Sequence, residues 1–426
     1  MAKTFNVTGP CISAKHYMAD MTGRIKQIRK MVDAGAYFTI NRARQYGKTT
    51  TLAALEKELE KDYLVIWLDF QALGSAAYQN ENTFSLSFLQ IFYRELKRRR
   101  VEKIPGMKVI LTEIQRNIEE KEQDFDLMEL SSRLLDTCGA SENPVVLMID
   151  EVDSASNNQV FLDFLAQLRN YYLERDTKGV VTFQSVILAG VYDIKNLKRK
   201  IRREESHKTN SPWNIAADFE VDLSLSQDGI AGMLAEYEKD YHTGMDISEI
   251  AKLLWEYTSG YPYLVSRLCK LMDEKIGSES GKAKQEAWTR EGFLKAERML
   301  LMESNTLFES LIGKLADYPE LETMLKNLLF FGKPITYNPT NSMIALAMMF
   351  GFVKNQDGKV IPANRIFDTL LYNHFLSMDE LKSSEMYLAS LMDQNFFIKD
   401  GHLNMRKVLE RFVAHFHELY GNRKET

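Results

Sequence analysis

Residues 41–50 read NRARQYGKTT. The segment Gly47-Lys48-Thr49 matches the end of a phosphate-binding loop, G-x-x-x-x-G-K-[ST]. That pattern puts its first glycine at position 42, where this chain carries Arg42. A bare GK[ST] tripeptide also arises by chance on ordinary surface helices, so its flanks decide the reading. The loop needs a strand before it and a helix after it, because the N–H groups at the helix start bind the phosphates. YFTIN (37–41) supplies a short apolar run, and Leu52, Leu55 and Leu59 follow at helical spacing. In that setting Gly47 permits close backbone approach, Lys48 reaches the β- and γ-phosphates, and Thr49 offers its hydroxyl to Mg²⁺. Arg44, Gln45, Tyr46 and Thr50 complete the expected nucleotide-binding segment. A first glycine eases the turn out of the strand but makes no charged contact. Arg42 and Arg44 are expected to add positive charge near the phosphates.

The second informative stretch is PVVLMIDE (144–151), which resembles a Walker B strand. Its apolar run reads as a buried strand that delivers Asp150 to the C-terminal edge of the sheet. Ligands bind at that edge in open α/β sheets. Asp150 is expected to hold Mg²⁺ through water, and Glu151 to orient and activate the attacking water. Phosphoryl transfer depends mainly on positioning and charge stabilisation, so few other groups are needed. The expected catalytic residues are therefore Glu151 and Lys48, with Thr49 and Asp150 as Mg²⁺ ligands. The competing reading is a strand ending in solvated acids, and the order of the two motifs argues against it. Asp153 reads as a solvated loop acid, with a metal or catalytic role as the alternative.

Two further apolar runs, YLVIWLDF (63–70) and QSVILAG (184–190), read as strands, and DFEVDLS (218–224) as a fifth, edge-like one. Short apolar strands between long helical stretches predict a parallel α/β sheet buried on both faces. From about residue 226 the pattern is helical. Beyond 319 it runs helix, helix, hairpin (around Asp357-Gly358) and helix, as in a winged helix. The expected fold is α/β: a P-loop NTPase parallel sheet with a helical lid, followed by a winged-helix-like α+β module. The expected divisions are 1–225 for the ATPase core, 226–312 for the lid, 313–380 for the winged-helix-like module and 381–426 for a C-terminal helical segment.

Lys and Arg total 54 against 59 Asp and Glu, a net charge of −5. That balance excludes a chain-wide basic grip on nucleic acid. Basic residues between 319 and 378 are few and offset by acids, so DNA contact through that module is weakly supported. The run at Arg94–Arg100 reads as a solvated helix face. Cys11, Cys138 and Cys269 form neither a disulfide framework nor a metal-ligand spacing, as in a reducing compartment. No signal peptide is visible. The longest apolar run, Met343–Val353, falls short of the ~20 residues of a membrane span. A cytoplasmic protein with no membrane partner is expected.

Together these residues resemble the AAA-like P-loop ATPases of bacteria and archaea, near the predicted AAA-ATPase-like, archaeal-type and STAND-related groups. The resemblance is specific in NRARQYGKTT and LMIDE and looser elsewhere over residues 16–270. Some members carry an arginine where the first glycine would stand, as Arg42 does here. The resemblance implies ATP and Mg²⁺ as cofactors. It implies a sensor position at the end of VILAGVYDI (186–194), to which Tyr192 and Asp193 are poor matches. It implies an arginine acting on a neighbour's nucleotide, with Arg199, Arg202 and Arg203 as candidates in a homo-oligomer; a solvated basic face is the alternative. It also implies a lid contact from YTSGYPYLVSRL (257–268), by Pro262 and then Arg267, against the plain reading of a proline in a helix's first turn. Relatives often carry a C-terminal nuclease-like domain, for which no D…(D/E)-x-K set is evident after residue 380.

Three functions follow. The first is an ATPase coupling hydrolysis to a conformational change. The second is a nucleotide-dependent switch with little turnover that signals to a protein partner. The third is a DNA- or protein-binding module with an inactive nucleotide site, against which the intact Lys48, Thr49, Asp150 and Glu151 argue.

Overall fold

The computed structural model describes residues 3–120, 124–191, 213–278, 281–330 and 334–378, with residues 398, 399, 402, 403, 405, 406 and 409 near the C terminus. Its elements begin with α1 (Thr22–Asp33), β1 (Phe38–Asn41), α2 (Lys48–Leu59) and β2 (Leu64–Asp69). Next come α3 (Glu81–Arg98), α4 (Pro105–Glu120), α5 (Leu127–Ala140), β3 (Val145–Asp150), α6 (Gln159–Lys178) and β4 (Ser185–Gly190).

The four strands form one parallel sheet in the order β1-β4-β3-β2. Asp69 pairs with Asp150 across β2 and β3, and Asn41 pairs with Gly190 across β1 and β4. Every residue of β3 and β4 is buried, which is why those strands read as unbroken apolar runs. Alternate side chains serve two cores. Ile40, Val146, Met148 and Ile187 pack with α1 and α2, while Ile66, Leu147, Ile149 and Leu188 pack with the helices of the opposite face.

The fifth strand expected at 218–224 does not form. Ala217 makes one isolated bridge to Phe38, with its N–H on the Tyr37 carbonyl at 2.8 Å. Beyond it the Val221 carbonyl accepts from Arg42 Nη2 at 2.9 Å, and the Asp222 carboxylate accepts from the Ser224 N–H at 2.8 Å. Side chains thus take backbone groups that a ladder would need. The expected solvated face at Arg94–Arg100 is also corrected in part. Arg98 and Arg99 are held by Glu95 and Glu56, and Arg99 also by Glu60, which ties α3 to α2.

Among the described residues, helices then follow as α7 (Gln227–Tyr241), α8 (Ile247–Thr258), α9 (Pro262–Leu271), α10 (Gly281–Ala287) and α11 (Arg290–Leu301). After α12 (Thr306–Asp317) and α13 (Pro319–Phe330) come β5 (Ile335–Thr336), α14 (Ser342–Phe350), β6 (Val353–Gln356), β7 (Lys359–Pro362) and α15 (Arg365–Ser377). Strands β5, β6 and β7 form an antiparallel sheet in the order β5-β7-β6, and Asp357 and Gly358 turn its hairpin with φ of 50° and 78°. Helices α7 to α15 share one hydrophobic core, which also takes in Phe5, Tyr17 and Ala43. No helix among the described residues is long and apolar enough to cross a membrane.

Candidate functional site

The β1–α2 connection positions the site. Gly47 caps α2 at φ 84°, and Gln45 also lies in the left-handed region at φ 57°. These turns aim the first N–H groups of α2 back over the sheet edge. Lys48 opens the helix and is 7% exposed. Its ammonium donates to the carbonyls of Arg42 at 3.0 Å and Ala43 at 3.2 Å. Burial pushes its pKa down, while Asp153, Glu151 and Asp150 pull it back up.

One side-chain hydrogen bond joins the two motifs. The Thr49 hydroxyl donates to Asp150 Oδ2 at 2.8 Å, although β4 stands between their strands. β4 ends at Gly190, where an added Cβ would lie 2.8 Å from Asp153 Oδ1. The close approach of the acid-bearing turn therefore needs a residue without a side chain. Asp150 is buried, and its Oδ1 accepts from the Glu151 N–H at 2.9 Å. Glu151 has φ 54°, a strained turn off the end of β3 that sets it on the wall of the cavity. Burial raises the pKa of both acids; the Thr49 bond offsets it for Asp150, and Lys48 offsets it for Glu151. Asp153 is no solvated loop acid, because its carboxylate accepts from the Val191 N–H at 2.7 Å.

A cavity of about 880 Å³ lies over these groups. Its wall includes Arg44, Gln45, Tyr46, Gly47, Lys48, Thr49 and Thr50, with Glu151, Asp153 and Pro262. Pro262 lies beside the loop, with its Cγ 3.7 Å from a Cβ built on Gly47. Two other expected residues do not face the cavity. Arg42 turns away, donating to the Asn41 carbonyl at 2.8 Å and to Val221, with its guanidinium over the Phe219 ring. Arg267 is held in a two-pronged pair with Glu303 at 2.9 and 2.6 Å. Tyr192, Asp193, Arg199, Arg202 and Arg203 lie outside the described residues.

Sequence patterns missed two walls. Asn6, Val7, Thr8, Gly9 and Cys11 close one side, and the Cys11 N–H donates to the Thr50 hydroxyl at 3.1 Å. α12 closes another with Thr306, Ser310 and Lys314, and Gln45 Nε2 donates to the Thr306 hydroxyl at 3.1 Å. The only sequence signals were a turn-rich NVTGP and an asparagine cap at Asn305.

Mg²⁺ prefers hard oxygen ligands. A hydroxyl and a carboxylate oxygen 2.8 Å apart, beside a helix N-terminus, fit such an ion at Thr49 and Asp150.

The description "AAA-like domain" matches residues 10–376. The chain belongs to the AAA-like domain family. Among solved structures, the Walker-type ATPase paby2304 of Pyrococcus abyssi shares 12% identity, with 86% of this chain and 99% of that one covered at a TM-score of 0.55. It shows the same fold. Cdc6p from Pyrobaculum aerophilum matches at 13% identity over 87% of this chain and 97% of its own, with a TM-score of 0.40. The Thermotoga maritima RuvB Holliday junction branch migration motor matches at 11% over 86% and 98%, with a TM-score of 0.38. No curated protein matches this AAA-like chain.

Proposed function

We propose that the cavity binds a nucleoside triphosphate, ATP by the family resemblance, with Mg²⁺, and that the chain hydrolyses it. The observation that carries this reading is the Thr49–Asp150 bond at 2.8 Å, with Lys48 and Glu151 gathered around it. The N–H groups of Gly47, Lys48 and Thr49 bind phosphate oxygens at the α2 terminus. Lys48 exchanges its two carbonyl acceptors for phosphate oxygens. Glu151, with its proton affinity raised by burial, orients and deprotonates the attacking water. Bound Mg²⁺ would neutralise charge developing on the transferred phosphoryl group.

The division into an ATPase core (1–225), a lid (226–312), a winged-helix-like module (313–380) and a C-terminal segment (381–426) belongs to the same reading. So does a homo-oligomer in which Arg199, Arg202 or Arg203 acts on a neighbour. Glu151→Gln tests the chemistry. It should bind Mg-ATP as tightly as the native chain and release no phosphate; turnover at the native rate would remove Glu151 from the base role.

One set of contacts supports the switch as a second reading. Tyr261 donates its hydroxyl to the Arg44 carbonyl, Tyr46 meets Tyr261 edge-on at 4.7 Å, and Gln45 holds Thr306. The phosphate loop is thus tied to helices that share a core with residues 319–375. Binding that repositions the loop would move those helices. ATP-dependent change in their protection from hydrogen exchange, without phosphate release, would favour the switch.

A further inference from the structure

A second cavity lies behind the phosphate loop. Its volume is about 1140 Å³, larger than the 880 Å³ of the first. Tyr46 and Val191 stand in both walls, whereas Lys48, Thr49 and Glu151 line only the first. The nucleotide reading therefore makes no use of this space.

Its wall carries three cations, Arg24 from α1, Arg42 from the loop and Lys354 from β6, against two acids, Asp20 and Asp222. The acids are engaged locally. Asp20 accepts from the Thr22 N–H and hydroxyl at 2.9 and 2.6 Å, and Asp222 from the Ser224 N–H and hydroxyl at 2.8 and 2.6 Å. Uncharged oxygens hold the cations instead. Arg24 donates to the Ser224 carbonyl at 2.6 Å, Lys354 to the Ser259 hydroxyl at 2.9 Å, and Arg42 to the carbonyls of Asn41 and Val221. Among the described residues none of the three forms an ion pair. The Leu225 N–H to Gly260 carbonyl bond joins the segments that hold Arg24 and Lys354, so both cations flank one seam. Burial pushes the pKa of all three down; Asp222 offsets this in part for Arg24, Tyr46 and Asp222 do so for Arg42, and no acid does so for Lys354. A half-buried charge without a counter-charge is unfavourable, and an anion entering the cavity would relieve that penalty.

Another part of the wall is apolar. Trp255 on α8 is 43% exposed and lines the cavity. α14 is apolar all round (SMIALAMMF), yet only Ile344, Ala347 and Phe350 of it are buried. Its Met348 and Met349 stay half-buried and line the same space. An indole offers a flat face for stacking, and thioethers adapt to the outline of a ring. Small-molecule sites combine such apolar walls with a few placed polar groups.

We propose that this cavity binds a small organic anion with a flat ring, its acidic group at the seam of Arg24 and Lys354 and its ring against Trp255 and the two methionines. The proposal does not depend on the nucleotide reading.

The test is calorimetric titration of the full chain with anilinonaphthalene sulfonate, a flat aromatic anion, and with phenylnaphthylamine, its uncharged counterpart. The variants are Lys354→Met, Lys354→Arg, Trp255→Ala and Lys48→Met, with denaturant unfolding to check that each folds. The native chain should bind one equivalent of the sulfonate and bind the uncharged compound more weakly. Lys354→Met should weaken sulfonate binding about tenfold, as for one lost charge-assisted contact, and leave the uncharged compound unaffected. Lys354→Arg should keep most of the affinity, Trp255→Ala should weaken both compounds, and Lys48→Met should change neither. Should Lys354→Met fail to fold, the exposed Trp255 carries the test. No binding by the native chain, native affinity in both Lys354→Met and Trp255→Ala, equal loss in Lys354→Met and Lys354→Arg, or a loss confined to Lys48→Met would each overturn the proposal.

Discussion

Two glycines of similar backbone conformation should respond very differently to one added methyl group. Gly47 has φ 84° and Gly260 φ 72°. Alanine at either position costs about 1–2 kcal/mol of left-handed strain, and stiffening of the unfolded chain returns about 0.4–1 kcal/mol. At Gly47 the nearest atom to the new Cβ is Pro262 Cγ at 3.7 Å, an ordinary contact. Gly47→Ala should therefore cost about 1 kcal/mol without nucleotide. At Gly260 the Cβ would fall 2.1 Å from the Leu225 carbonyl oxygen and 2.9 Å from the Leu225 nitrogen. Backbone must move there, and the Leu225 N–H to Gly260 carbonyl bond at 2.8 Å is lost with it. An unmade backbone bond costs about 1–3 kcal/mol, which brings Gly260→Ala to about 3–4 kcal/mol. Guanidinium unfolding of the two variants beside the native chain measures the difference. Equal losses would refute the packing of Gly260 against Leu225. Addition of Mg-ATP should reverse the ranking of function: Gly47→Ala, altered where backbone meets phosphate, should lose the ligand response even though it is the more stable variant.

Other perturbations probe separate parts of the account. Tyr261→Phe removes only the hydroxyl that meets the Arg44 carbonyl, and should cost about 1–3 kcal/mol in denaturant unfolding while the ring keeps its place. Arg99→Met strips a nine-tenths buried cation from Glu56, Glu60 and Glu95, and should cost about 2–3 kcal/mol, less in high salt; no loss would show that the network is dispensable. Glu297 has its pKa raised by burial, with Arg365 and Arg298 pulling it down. A raised carboxyl contributes stability below its ordinary range, and that contribution is lost as pH rises through the raised value. Glu297→Gln should therefore flatten the stability profile across that window. Asp150→Asn should abolish the Mg²⁺ dependence of nucleotide binding, measured by titration with and without the metal.

The parts of the fold that obey a local period were legible in the sequence. VVLMID and SVILAG read as strands because both faces of each are buried. Leu52, Leu55 and Leu59 marked α2 because a single face of it packs on the sheet. Residues 218–224 misled because their alternation looks like a strand, while Arg42 and Asp222 take the backbone groups a neighbouring strand would use. Arg42 itself was read by charge, but its guanidinium is satisfied by two carbonyls on the far side of the loop. The N-terminal and α12 walls of the cavity were invisible for a different reason. Asn6 and Lys314 meet one space only through tertiary packing, and no spacing within either segment encodes that meeting.

The central claim is that Gly47, Lys48, Thr49, Asp150 and Glu151 form a working nucleotide site. Thermal unfolding of the native chain and of Lys48→Ala, each with and without Mg-ATP, tests it most directly. At 100 times the dissociation constant, the native chain should gain about 2.7 kcal/mol of stability, with little or no gain in Lys48→Ala. No gain in the native chain, or an equal gain in both, would contradict it.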